Sequence, residues 1–245
     1  MRTLKLTLSY DGTRFVGWQR QSEGESIQGL LEEALARFEG APVSVQGAGR
    51  TDAGVHALGQ VASARVSFAH DSTLLARALN AQLPEDIRIL SVEDAADDFH
   101  ARFSARSKTY RYQIRNGPIA TPFERAYVWH LQEPLAIDAM QNAAGRLVGT
   151  HDFAAFRSVG SDVAGTIRTL TQSEWRAISG LLTYEISGDG FLRHMVRAVT
   201  GTLVEIGRGW RDPAEIDALL RGGTRAQAGA TAPPRGLFLV RVVYD

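Results

Sequence analysis

The chain has no cysteine, which excludes a disulfide scaffold and any thiolate metal site. It has almost no lysine: of 27 basic side chains only Lys5 and Lys108 are lysine, and the rest are arginine. It has no net charge, 27 acidic residues balancing the 27 basic ones, so the sum advertises no polyanionic partner. No apolar run approaches the roughly 20 residues of a membrane-spanning helix. The segment Met1-Arg2-Thr3-Leu4-Lys5 opens into strand-like alternation, without the apolar stretch of a signal peptide. These absences lead us to expect a soluble, cytoplasmic protein. What is present is ordinary for a globular chain. It is 44% hydrophobic and 22% charged over 245 residues, enough for a sizeable core in one large domain or two smaller ones.

Charge is uneven along the chain. Acids crowd residues 85–98, with Glu85, Asp86, Glu93, Asp94, Asp97 and Asp98 against Arg88 alone. Residues 102–115 then carry Arg102, Arg106, Lys108, Arg111 and Arg115 with no acid, and residues 221–241 carry four arginines with none. Arginine forks onto phosphate and stacks on bases. The plain alternative is a solvated surface on which arginine stands in for lysine.

Periodicity predicts an α+β fold in two halves. Leu4, Leu6, Leu8 and Tyr10 alternate with polar residues as a half-buried strand does. Ile27, Leu30, Leu31, Ala34, Leu35 and Phe38 follow helical spacing behind Ser26, a candidate N-cap. Residues 43–45, 60–68 and 87–92 read as strands and 72–80 as a short helix. The acid-rich 94–98 stretch reads as a connection, giving halves of 1–104 and 105–245. In the second half, 106–116 is a strand with Tyr110, Tyr112 and Ile114 on one face. Ile137, Met140, Ala144 and Leu147 form a helical stripe, and 167–177 and 181–187 are adjacent strands. Asp189 is a candidate cap for a long helix through Ile206, with Phe191, Met195, Ala198, Thr202 and Leu203 inward. Asp212-Pro213-Ala214-Glu215 resembles a capping box. Residues 237–243 are nearly all apolar, as a centrally buried strand would be. Residues 222–234, rich in Gly, Ala and Pro, read as a plain connector, with a mobile flap as the sharper alternative.

The run Gly47-Ala48-Gly49-Arg50-Thr51-Asp52-Ala53-Gly54-Val55-His56-Ala57 concentrates the chemistry. Glycines let the backbone bend where side chains would clash. An Asp beside an Arg in such a bend is favoured as a carboxylate, which suits a nucleophile or base. An ordinary turn with a solvated Asp has the same composition. As a phosphate loop the run fails: Asp52 stands where a third glycine belongs, and the residues from Gln60 on have the pattern of a strand, not of a helix. As a metal site it fails too, since Asp52, His56 and His100 lack a ligand-like spacing. His56, His100 and His194 are read as structural. With no G-x-S-x-G run and no cysteine, serine or cysteine triads find no support.

Taken together, several motifs resemble the tRNA pseudouridine synthase A family. They are Gly49-Arg50-Thr51-Asp52-Ala53-Gly54-Val55-His56 with Gly59-Gln60-Val61, Tyr10-Asp11-Gly12, Gly17-Trp18-Gln19, Asn80 with Leu83-Pro84, and Asp98-Phe99-His100-Ala101-Arg102-Phe103. Tyr110-Arg111-Tyr112, Asp152-Phe153, Phe191 with Met195-Val196-Arg197, and Gly236-Leu237-Phe238-Leu239-Val240 complete the set. They fall in family order over essentially the whole chain.

The resemblance implies two similar α/β-sandwich-like halves with antiparallel sheets, joined across a central catalytic cleft. It implies conversion of uridine to pseudouridine at tRNA positions 38, 39 and 40, in the anticodon stem-loop. The reaction isomerises its substrate, so no cofactor or metal is expected. Asp52 matches the essential aspartate, which attacks the ribose, attacks the base or takes a proton; the sequence leaves these open. Arg50 and Arg197 match arginines near that aspartate. Tyr110 matches a tyrosine against the target base, which must be flipped out of its stem to react. Arg106, Lys108, Arg111, Arg193 and Arg211 are candidate tRNA phosphate contacts. Phe15, Trp18 and Phe191 are assigned to the core, with lining of the cleft as the alternative. The expected partners are tRNA and, as a homodimer, a second copy of the chain, with no membrane.

Overall fold

The computed structural model describes residues 1–158 and 165–245. In chain order the first elements are β1 (Arg2–Tyr10), α1 (Ile27–Glu39), β2 (Val45–Gly47), β3 (His56–Val66), α2 (Ser72–Gln82) and β4 (Ile87–Ala95). They are followed by β5 (Ser107–Asn116), β6 (Trp129–Leu131), α3 (Ile137–Gly145), β7 (Gly149–Asp152), β8 (Ile167–Ile178), β9 (Leu181–Gly188), α4 (Met195–Gly207), α5 (Glu215–Leu220) and β10 (Leu237–Val243). The fold is α+β. Among the described residues no helix is long and apolar enough to cross a membrane.

The chain forms two compact units, Met1–Arg106 with Phe238–Asp245, and Ser107–Leu237. The expected boundary at 104/105 therefore moves two residues on, and the last strand leaves the second half for the first. The cause is a non-local pairing: Phe238 and Leu239 align in parallel with His56 and Ala57. That pairing is a parallel exception to the expected antiparallel sheets. In the first unit the order is β4-β1-β3-β10, with β2 beside β3, and only the β3–β10 pair is parallel. In the second the order is β5-β9-β8-β7, with the short β6 parallel to β5.

Local signals explain most elements. Ser26 accepts from the Gly29 N–H at 3.2 Å and starts α1, Gly40 ends it at φ 71°, and Ile27, Leu31, Ala34 and Leu35 are buried along one stripe. Leu4, Leu6 and Leu8 are fully buried on the inner face of β1. The bonds of the expected capping box form just ahead of α5: Glu215 Oε1 accepts from the Asp212 N–H at 3.0 Å, and Asp212 Oδ1 from the Ala214 N–H at 2.7 Å. The helix itself starts at Glu215 behind Ala214, which makes no side-chain cap. The strand read at 60–68 begins four residues earlier, at His56, and the one read at 43–45 is displaced to Val45–Gly47.

Two expectations fail. Asp189 does not cap a helix; its carboxylate accepts from the Thr169 N–H at 3.1 Å. α4 starts six residues later, behind His194 at φ 62°, so Phe191 lies outside it. β10 is buried only over Leu237, Phe238 and Leu239 and reaches solvent at Arg241, so it is not buried along its length.

Residues 222–234 lie against α4. Ala230 N–H donates to Glu205 Oε1 at 2.8 Å, Gly229 N–H to Thr202 Oγ1 at 2.9 Å, and Ala232 N–H to Arg197 O at 3.0 Å. A Cβ at Gly201 would stand 1.7 Å from the Ala230 carbonyl oxygen, so helix and connector touch backbone to backbone. The segment is a fastened connector.

Candidate active site

In the first unit, residues 49–55 are held from both sides. Trp18 N–H donates to Thr51 O at 3.0 Å, and Gly17 bridges Asp52 in antiparallel fashion. Gly17 has φ +110°, and a Cβ there would lie 2.6 Å from Thr51 O. A Cβ on Gly12 would lie 2.0 Å from Val55 O. Only glycine permits this approach of the 10–18 segment to the loop. The loop closes on itself where the Val55 N–H donates to Asp52 O at 3.1 Å, across Gly54 at φ +76°.

Side chains alternate through this stretch: Arg50 exposed, Thr51 buried, Asp52 half-buried. Thr51 Oγ1 bonds Tyr10 Oη at 2.8 Å, and Gln60 Nε2 donates to Gly49 O at 2.9 Å. Burial pushes the Tyr10 phenol up to about 12. Arg50 makes no ion pair among the described residues, so its guanidinium is open to a phosphate or sugar. His56 accepts from the Gly12 N–H at Nδ1 (3.1 Å) and stacks on Phe238 at 4.7 Å, a structural role. His100 Nδ1 accepts from the Arg102 N–H at 3.1 Å, also structural. Among the described residues no three His, Asp or Glu side chains gather as a metal set requires. Phe15 and Trp18 are core residues, each 3% exposed, with Gly47 leaving room for the indole.

Tyr110 and Arg197 belong to the second unit. Tyr110, on β5 opposite Ile186, is buried and meets the edge of Phe191 at 5.0 Å and 78°. Phe191 is therefore a neighbour of the candidate tyrosine. Tyr112, two residues on, is fully buried and donates to Pro233 O at 2.7 Å. Burial pushes its phenol up, and the Arg197 and Arg235 charges partly offset this. Arg197 Nε donates to Ala232 O at 2.8 Å, so Arg197 is no solvated helix position. Its stem is aimed by α4 and its head by the connector. His194 contributes its carbonyl to the first turn of α4, accepting from Ala198 N–H at 2.9 Å.

The five candidate phosphate contacts differ in their surroundings. Arg111 pairs at 2.7 Å with Glu185, directly opposite on β9. Arg211 is gripped by Glu205 at 2.6 Å and Glu215 at 3.1 Å and also donates to Gln227 O. Arg106 forks onto Asp245 at 2.9 Å. Lys108 is buried in β5. Of the five, Arg193 alone is exposed and, among the described residues, free of a carboxylate. Arg106, Arg111 and Arg211 thus already hold carboxylate partners and Lys108 is buried, which the charge run alone did not announce.

The α+β chain thus carries a half-buried aspartate and an exposed arginine on one fastened glycine-rich loop, as a catalytic loop would. The model of one family, described as tRNA pseudouridine synthase, matches residues 7–104 and 143–245. Relatives named "tRNA pseudouridine synthase A" agree end to end. One from Pelobacter propionicus is 45% identical over 244 residues, covering 100% of both chains. One from Syntrophotalea carbinolica is 44% identical, covering 100% of this chain and 97% of the relative. One from Myxococcus xanthus is 43% identical over 245 residues, covering 100% and 92%. This chain belongs to the tRNA pseudouridine synthase family, of the A type, and is an enzyme.

Proposed function

We propose that the enzyme converts uridine to pseudouridine at positions 38, 39 and 40 of the tRNA anticodon stem-loop, with Asp52 as the reacting carboxylate. The N1–C1′ bond breaks, the uracil turns, a C5–C1′ bond forms, and the C5 proton is lost while N1 gains one. The observation that carries this reading is the fastening of Asp52. Its backbone is fixed by Gly17 and Val55, and that of its neighbour Thr51 by Trp18, while Asp52 stays half-buried. Rigid placement of a reacting group supplies much of a catalyst's rate. Tyr110 stacks on the flipped uracil, with Phe191 supporting its edge. Arg50, Arg193 and Arg197 take phosphate or sugar oxygens of the substrate. In this reading the working form is a cytoplasmic homodimer. The test is release of tritium from tRNA labelled at uridine C5. Release is expected from tRNAs with uridine at 38–40 and not from those with cytidine there. No release from any of the first set would end the proposal.

A further inference from the structure

A buried polar chain lies under the Asp52 loop, and the reaction proposed above leaves it without a role. Gln60 is fully buried in β3, between apolar neighbours. A buried amide is costly unless its hydrogens are used. Gln60 uses both: Nε2 donates to Gly49 O at 2.9 Å and to Tyr10 Oη at 3.3 Å. Its Oε1 accepts from the Val61 N–H at 3.2 Å. Tyr10 Oη, which accepts from Gln60, also shares a hydrogen bond with Thr51 Oγ1, 2.8 Å away. With its phenol pushed up to about 12 by burial, Tyr10 stays a neutral hydrogen-bonding partner across the working pH range.

The chain thus ends on the residue next to Asp52. Thr51 is held by its hydroxyl from Tyr10 and by its carbonyl from Trp18 N–H at 3.0 Å. In an extended stretch successive side chains face opposite ways. Holding Thr51 inward therefore turns Asp52 outward. Stability alone does not call for this arrangement, because apolar residues of the same shape at such positions are commonly neutral or stabilising. We infer that Tyr10 and Gln60 are positioning residues, which fix the direction of the Asp52 carboxylate through the Thr51 hydroxyl. The inference rests on the reading of Asp52 as the reacting group.

Steady-state tritium release separates the two. The variants are Tyr10→Phe, Thr51→Val, Thr51→Ser, the Tyr10→Phe/Thr51→Val double and Asp52→Asn, each with its thermal midpoint measured. Tyr10→Phe and Thr51→Val should each lower kcat about ten- to a hundredfold, leaving KM for tRNA within about twofold. Thr51→Ser, which keeps the hydroxyl, should restore most of what Thr51→Val loses. The double variant should be no slower than the slower single, since both singles remove the same Tyr10–Thr51 bond. Wild-type kcat in Tyr10→Phe and Thr51→Val beside an inactive Asp52→Asn would overturn the inference and leave the proposed reaction standing. So would multiplicative losses in the double variant. Full turnover by Asp52→Asn would overturn both.

Discussion

Replacing Gly17 with alanine probes how tightly the candidate carboxylate is placed. The new Cβ would stand 2.6 Å from the Thr51 carbonyl oxygen and 3.1 Å from both the Asp52 carbonyl carbon and the Ala53 nitrogen. All three are backbone atoms, so no flexible side chain can swing aside. Ordinary contact begins at 3.4 Å, so the loop must retreat by about 0.8 Å or strain must be stored. Holding a residue with a side chain at φ +110° adds about 1–3 kcal/mol. A displacement of roughly 1 Å can cost about a hundredfold in rate. We therefore expect kcat for tritium release to fall about ten- to a hundredfold. Gly40→Ala is the control: Gly40 also has positive φ, at +71°, but nothing lies within 4 Å of its Cβ position. It should cost about 1–2 kcal/mol of stability and leave kcat unchanged. If Gly17→Ala turned over like the wild type, with no larger loss of stability than Gly40→Ala, the argument from close approach would be refuted.

Other substitutions read other parts of the structure. Gly201→Ala drives a Cβ into the Ala230 carbonyl oxygen and should cost about 1–3 kcal/mol in urea unfolding. Arg193→Gln should reduce the slope of log affinity for tRNA against log salt by about one. Arg211→Gln should leave that slope unchanged and lower stability by about 1–2 kcal/mol, discounted because Arg211 is 22% exposed beside two carboxylates. The Arg115 guanidinium holds the Glu124 carboxyl below its ordinary value. The folded-state value is the lower one, so the pair's contribution is present above about pH 4.3 and is lost as pH falls through the folded-state value. Glu124→Gln should therefore flatten the acid limb of a stability–pH profile and leave neutral-pH behaviour of the pair's surroundings otherwise intact.

Features fixed by neighbours in sequence were legible before the structure. Ser26 and the spacing of Ile27, Leu31 and Leu35 announce α1, and Asp212 with Glu215 announces α5, because caps and stripes act within a few residues. The Asp189 assignment failed on the same ground: a capping residue type says nothing of a competing Thr169 N–H twenty residues upstream. Strand pairing is non-local by nature, so neither the parallel partnership of β10 with β3 nor the Arg111–Glu185 cross-strand pair could be read from charge runs. Burial of Lys108 was hidden for the same reason. Tyr10, Thr51 and Gln60 were visible as motif members without a role. The usable signal was a glutamine among apolar strand residues, which a core tolerates only when its hydrogens are spoken for.

The central claim is that Asp52 reacts with uridine in tRNA. Asp52→Asn keeps the size of the side chain and the loop's backbone bonds while removing the carboxylate. Tritium release from C5-labelled tRNA, with tRNA affinity measured on the same preparation, tests it directly. The account predicts no release above background and affinity within a few-fold of wild type. Release at the wild-type rate would contradict it.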